Sequence, residues 1–221
     1  MLSKIKDPGS AITHGIALLL SIIGAFPLLA RASQMPGLLH VVSMSIYIFS
    51  MILLYAASTN YHTIDYSENV NMTLKKIDHS MISVMIAGSY TPICLIVLHG
   101  KLGYILFAIV WATALLGIAF KLFWVTCPRW VSSVLYIGMG WLCILAFIPL
   151  FRALPAAAFG LLLAGGILYT VGGIIYALKI PWFDDQFKHF GLHEIFHVFV
   201  MLGSILHYLL MYLYISRFPI A

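Results

Sequence analysis

Seven mostly apolar stretches follow one another along this chain, at residues 12–31, 38–61, 79–99, 102–123, 131–151, 156–178 and 191–214. Each reaches the roughly 20 residues a helix needs to cross the hydrocarbon of a bilayer. None carries an Asp or Glu at its centre. In lipid every backbone N–H and C=O must find its partner within the span, which a helix achieves and an open strand does not. The expectation is an all-α membrane protein of seven transmembrane helices, with residues 1–221 forming a single domain. The first block has no small-residue cleavage site and the next span follows almost at once, so it reads as a span rather than a signal peptide. Pro27, Pro92 and Pro149 fall inside spans, where kinks are expected. The pairs Gly165-Gly166 and Gly172-Gly173 in the sixth block lie one heptad apart and admit a closely packed neighbour.

Composition agrees. Of 221 residues 62% are hydrophobic and 9% charged, against about 45–50% and about 25% for soluble domains. That excludes a disordered chain, a secreted disulfide scaffold and an ordinary cytosolic enzyme. Cys94, Cys127 and Cys143 are isolated and odd in number, and read as packed apolar side chains. The basic residues form no run or stripe, so no nucleic-acid partner is expected. Membrane lipids are the expected partners.

Charge between the spans sets an orientation. Lys4, Lys6, Lys75, Lys76, Lys121, Arg129, Lys179 and Lys188 fall on one side; Arg31, Lys101, Arg152 and Arg217 fall on the other, which accounts for all 12 basic residues. The excess places the N-terminus in the cytoplasm and the C-terminus outside. All seven acids (Asp7, Asp65, Glu68, Asp78, Asp184, Asp185 and Glu194) map to the cytoplasmic side, as do His14, His62, His79, His189, His193 and His197. The inner ends of spans two, three and seven therefore carry the unusual chemistry. The polar stretch Thr63 to Ile77 is expected to be a loop.

In span seven, His193 and His197 stand at i and i+4, on one helical face. Two imidazoles so placed suit one metal ion, at about 2.0–2.1 Å for zinc. At the end of span two, Ser58 and His62 repeat the spacing, and His62 can supply a third nitrogen. Asp78 opens span three at the same depth. Three imidazoles leave a fourth position on zinc for water. Asp78 can orient that water or take its proton, and Ser58 can hydrogen-bond to it or to a substrate oxygen. Plainer alternatives stand beside each: interfacial histidines, an N-cap for Asp78, and bonding to its own helix for Ser58. His193-Glu194-Ile195-Phe196-His197 also matches the H-E-x-x-H pattern in which the Glu is a protease general base.

At these residues the sequence resembles the hemolysin III family, grouped with the progestin and adiponectin receptor proteins. The likeness covers nearly the whole chain. It includes Thr13-His14-Gly15, the Ser58…His62 segment, Asp78-His79-Ser80 with Gly88-Ser89-Tyr90-Thr91-Pro92, and the His193…His197 pair. It implies zinc held by His62, His193 and His197, with Asp78 and Ser58 at the site and the aspartate associated with metal-bound water. The short N-terminus and lack of an extra domain look like the bacterial branch, which implies a multi-pass protein of the bacterial inner membrane. The resemblance also implies hydrolysis of lipid amide bonds, as in ceramides, and a part in membrane lipid homeostasis. The alternatives are a non-catalytic sensor with structural zinc, a cytolysin that forms pores, and an intramembrane zinc metalloprotease. The spans lack the regular polar stripe that lines a channel.

Overall fold

The computed structural model describes residues 5–178 and 191–220. Lys4, Lys179, Asp184, Asp185, Lys188 and His189, which entered the charge map above, lie outside the described residues. Helices occupy α1 (Pro8–Ala32), α2 (Leu39–Thr63), α3 (Glu68–Pro92), α4 (Lys101–Phe123), α5 (Arg129–Gly140), α6 (Phe147–Ala153), α7 (Ala156–Leu178) and α8 (Leu192–Leu213). A 3-10 segment, Trp141–Ala146, joins α5 to α6, so together they make one span. Seven helical stretches are long and apolar enough to cross a membrane, as the hydropathy pattern predicts.

The third span departs from expectation. Residues 63–77 are not all loop: α3 begins at Glu68, and Ser67 is its N-cap, its side chain accepting from the Val70 amide at 3.4 Å. Asp78 therefore sits nearly three turns inside the helix, and the N-cap reading of Asp78 is wrong. Hydropathy finds the part of a helix that lies in lipid; it does not see polar turns that run on into water.

α1, α2, α3, the α5–α6 span, α7 and α8 each pack on the next, and α8 returns to α1. This closes a ring. α4 lies outside it, against α3 and α5. α2 and α3 are the most enclosed, with 56% and 61% of their apolar windows buried against 17–39% elsewhere. Glycines set the closest approaches. A Cβ on Gly88 of α3 would stand 2.2 Å from Ser50 Oγ of α2. Gly165 and Gly172 of α7 are covered by His207 and Phe199 of α8, and Gly173 by Ile137 of α5. Gly166 faces open space.

Proline acts differently at its three positions. At Pro92 the α-helix gives way to a π turn, Ile93–Val97, while Pro149 falls in the first turn of α6, just after the 3-10 segment. α1 runs through Pro27 without a break. The 3-10 segment frees backbone groups that lipid cannot satisfy. Tyr90 of α3 meets them: its hydroxyl donates to the Gly140 carbonyl at 2.5 Å and accepts from the Cys143 amide at 2.7 Å.

Candidate metal centre

The end of the ring that carries the N-terminus brings α1, α2 and α8 together. His62 lies in the last turn of α2, and His193 and His197 in the first turns of α8. One ring nitrogen from each of the three lies within 4.8 Å of the others. His62 Nε2 and His193 Nε2 are 3.2 Å apart. Two ligands of a tetrahedral ion at about 2.05 Å stand about 3.3 Å from each other, so the pair already has the spacing of shared ligation.

Two of the other ring nitrogens are engaged. His62 Nδ1 lies 3.0 Å from Asp7 Oδ2, and His197 Nδ1 lies 3.2 Å from Thr13 Oγ1. Thr13 donates its own proton to the Gly9 and Ser10 carbonyls, both at 3.0 Å, so it accepts from His197. A ligating histidine commonly donates its second N–H to a carboxylate or another acceptor, which fixes the tautomer. Both contacts leave Nε2 to face the common point. The donor set fits a zinc ion held by His62, His193 and His197.

Ser58 and Asp78 stand beside this cluster. Both are buried and share a cavity wall with His193 and His197. The Ser58 side chain interacts with the Asp78 carboxylate and lies 2.7 Å from His14 Nδ1. The hydroxyl of Ser58 thus couples α1 to α3, a role that spacing along α2 does not show. His14 stacks on His197, ring centroids 3.5 Å apart and planes 4° from parallel, and its buried Nε2 has no partner among the described residues.

Two residues of this centre were missed from the sequence. From the sequence Asp7 reads only as a charge, and His14 only as a cytoplasmic-side histidine within the Thr13-His14-Gly15 motif. The available signal was their spacing: His14 follows Asp7 by seven residues, two turns along α1 from the N-cap position that Asp7 occupies. Glu194, by contrast, does not face the histidines' common point. Its Oε1 accepts from the Ser10 hydroxyl at 2.5 Å and its Oε2 from the Gly191 amide at 2.8 Å. It closes the N-terminus of α8 and ties it to α1, which removes the base that an H-E-x-x-H protease needs.

The cavity is mostly apolar. Its lining runs from Asp78 of α3 to Ile93 at the start of the π turn, and along α8 from His193 to Met211. At 1.5 Å per residue these stretches measure about 22 and about 27 Å, most of the thickness of a hydrocarbon layer. Phe196 lines it and packs on Tyr176 of α7, ring centroids 5.0 Å apart. His207 lines it at mid-span, its Nε2 on the Leu162 carbonyl at 3.2 Å.

A family model described as "Haemolysin-III related" matches residues 2–208. The chain belongs to the haemolysin III family. This haemolysin III protein is 43% identical to "Hemolysin-3 homolog" of Bacillus subtilis (strain 168) over 215 residues, 97% of this chain and 96% of that one. It is 42% identical to "Hemolysin-3" of Bacillus cereus over 95% of this chain and 92% of that one. A more distant relative is an adiponectin receptor protein of Drosophila melanogaster, 38% identical over 61 residues, 26% of this chain and 14% of that one. It is a multi-pass bacterial membrane protein.

Proposed function

We propose that this haemolysin III protein is a zinc-dependent hydrolase of lipid amide bonds, acting on substrates held in its own cavity, with a part in membrane lipid homeostasis. The observation that carries the reading is the junction of two features. A cluster of three imidazoles stands at one end of an apolar cavity, and a carboxylate and a hydroxyl share the wall between them. The donor set supports zinc, which when bound supplies a Lewis acid and a nucleophile at neutral pH. His62, His193 and His197 hold the ion. Asp78 is positioned to take a proton from water at the cavity end, and later to return one to the leaving amine. Ser58 holds Asp78 and is itself held by His14. The apolar walls receive the chains of the lipid and keep bulk water from the reacting carbonyl. The charge map gives the orientation of the proposal: the metal end faces the cytoplasm.

The test is turnover of a panel of amide-linked lipids by the purified chain, with and without a chelator. Metal-dependent release of free fatty acid supports the reading; no product from any of them contradicts it.

One observation favours a second reading. The histidine cluster joins α2 to α8 while Asp7 and Thr13 anchor it to α1. A structural zinc would therefore staple the first, second and last spans, as in a sensor. In that case His62→Ala lowers thermal stability while no lipid is ever consumed. The cytolysin reading rests on the name of the Bacillus cereus relative, and leakage of dye from liposomes is its test.

A further inference from the structure

Lys121 was counted among the loop charges, yet it is fully buried in the last turn of α4. Its Nζ donates to Ser132 Oγ at 2.6 Å and to Cys127 Sγ at 3.1 Å. The rings of Phe120 and Tyr136 lie 5.6 and 5.7 Å away. Among the described residues no carboxylate is within ion-pair distance of it. The carbonyl end of α4 offers partial negative charge but no ion. A buried ammonium with only neutral partners is costly, and it attracts any anion that can reach it.

The route is through Ser132. Its side chain lines the cavity, while Lys121 stands behind it. With a lone pair of Ser132 Oγ taken by the ammonium, the hydroxyl proton is free for an acceptor in the cavity. The thiol of Cys127, 3.4 Å from that oxygen, is only a weak acceptor. Arg129 lies near the same wall, 5.2 Å from the ring of Tyr176, which also lines the cavity. This pole belongs to the α4–α5 side of the same cavity end as the histidine cluster: Tyr136, one turn on from Ser132, bonds to the His79 carbonyl at 2.7 Å, and Tyr176 lies 5.7 Å from the His193 ring.

We propose that Ser132, backed by the Lys121 ammonium, is a binding site for the anionic head of an amphiphile, a carboxylate or a phosphate, whose chain occupies the apolar cavity. The site requires no turnover and no metal, so it stands apart from the hydrolase reading.

The test titrates the purified full chain in a neutral detergent with myristate, tetradecyl phosphate and uncharged tetradecanol, following the fluorescence of Trp141 in the cavity wall. Each titration is repeated after chelator treatment. Lys121→Met is expected to weaken both anions at least tenfold and to leave tetradecanol within twofold. Lys121→Arg is expected to retain most of the anion affinity. Without ligand, Lys121→Met should melt at or above the wild-type temperature, because it removes a desolvated charge. Tighter binding of myristate marks a free fatty acid as the natural occupant; tighter binding of the phosphate marks a phospholipid. Equal weakening of all three ligands, anion binding that survives Lys121→Met but is lost with the chelator, or a fall in the ligand-free melting temperature would each overturn the proposal.

Discussion

His62 Nδ1 and Asp7 Oδ2 lie 3.0 Å apart, which links the last turn of α2 to the residue preceding α1. The backbone repeats the link, with the Asp7 amide on the His62 carbonyl at 2.9 Å. Asp7 sits at the N-cap position of α1 but makes no side-chain cap bond. Its carboxylate therefore serves His62 rather than the helix.

Asp7→Asn is accordingly expected to weaken zinc binding by about 10–100-fold, the usual cost of losing such a partner. Helix stability should change little. Competition with a chromophoric chelator measures the first and a melting curve the second. A change in stability without a change in zinc affinity would show that Asp7 is only a structural link.

Asp78→Asn should keep zinc stoichiometry and lose about 10²–10⁴-fold in amide hydrolysis, the span expected for removal of a proton-transfer group. Metal analysis and a product assay on one preparation separate the two. Loss of the metal along with activity would recast Asp78 as part of the metal's support.

Glu194→Ala removes a cap and a bond to Ser10, so about 1 kcal/mol of stability should be lost. Zinc content should stay unchanged. A Glu194 variant that holds zinc and folds as the wild type, yet loses all turnover, would restore the base role assigned to it by the H-E-x-x-H pattern.

Gly165→Ala and Gly166→Ala form a matched pair. A Cβ at Gly165 would lie 2.3 Å from the His207 ring, while at Gly166 it meets nothing within 4 Å. The first should cost about 1–3 kcal/mol by overpacking, and the second should cost almost nothing. Equal melting temperatures would show that α7 and α8 are not held as closely as described.

The seven spans were legible because crossing lipid leaves a signal about 20 residues long. The His193–His197 pair was legible because helical spacing puts both rings on one face. The start of α3 at Glu68 was not, since polar turns beyond the membrane carry no hydropathy signal, although Ser67 was a readable cap. The 3-10 segment was signalled only by Pro149. Asp7 and His14 were hidden for another reason: their partners His62 and Ser58 are 55 and 44 residues away, and a single sequence does not state which helix ends meet. Lys121 shows the same limit in reverse, a charge that looks like a loop residue and is folded inward. The orientation remains a proposal from loop charges, and reporter fusions at each terminus test it, with the N-terminal fusion expected in the cytoplasm.

The central claim is that His62, His193 and His197 share one cation. The most direct measurement is the metal content of the purified wild type, His62→Ala and His193→Ala, each prepared from zinc-supplemented cells and confirmed as folded. About one zinc per chain is expected in the wild type and close to none in either variant. Equal zinc in all three, or none in the wild type, would contradict it.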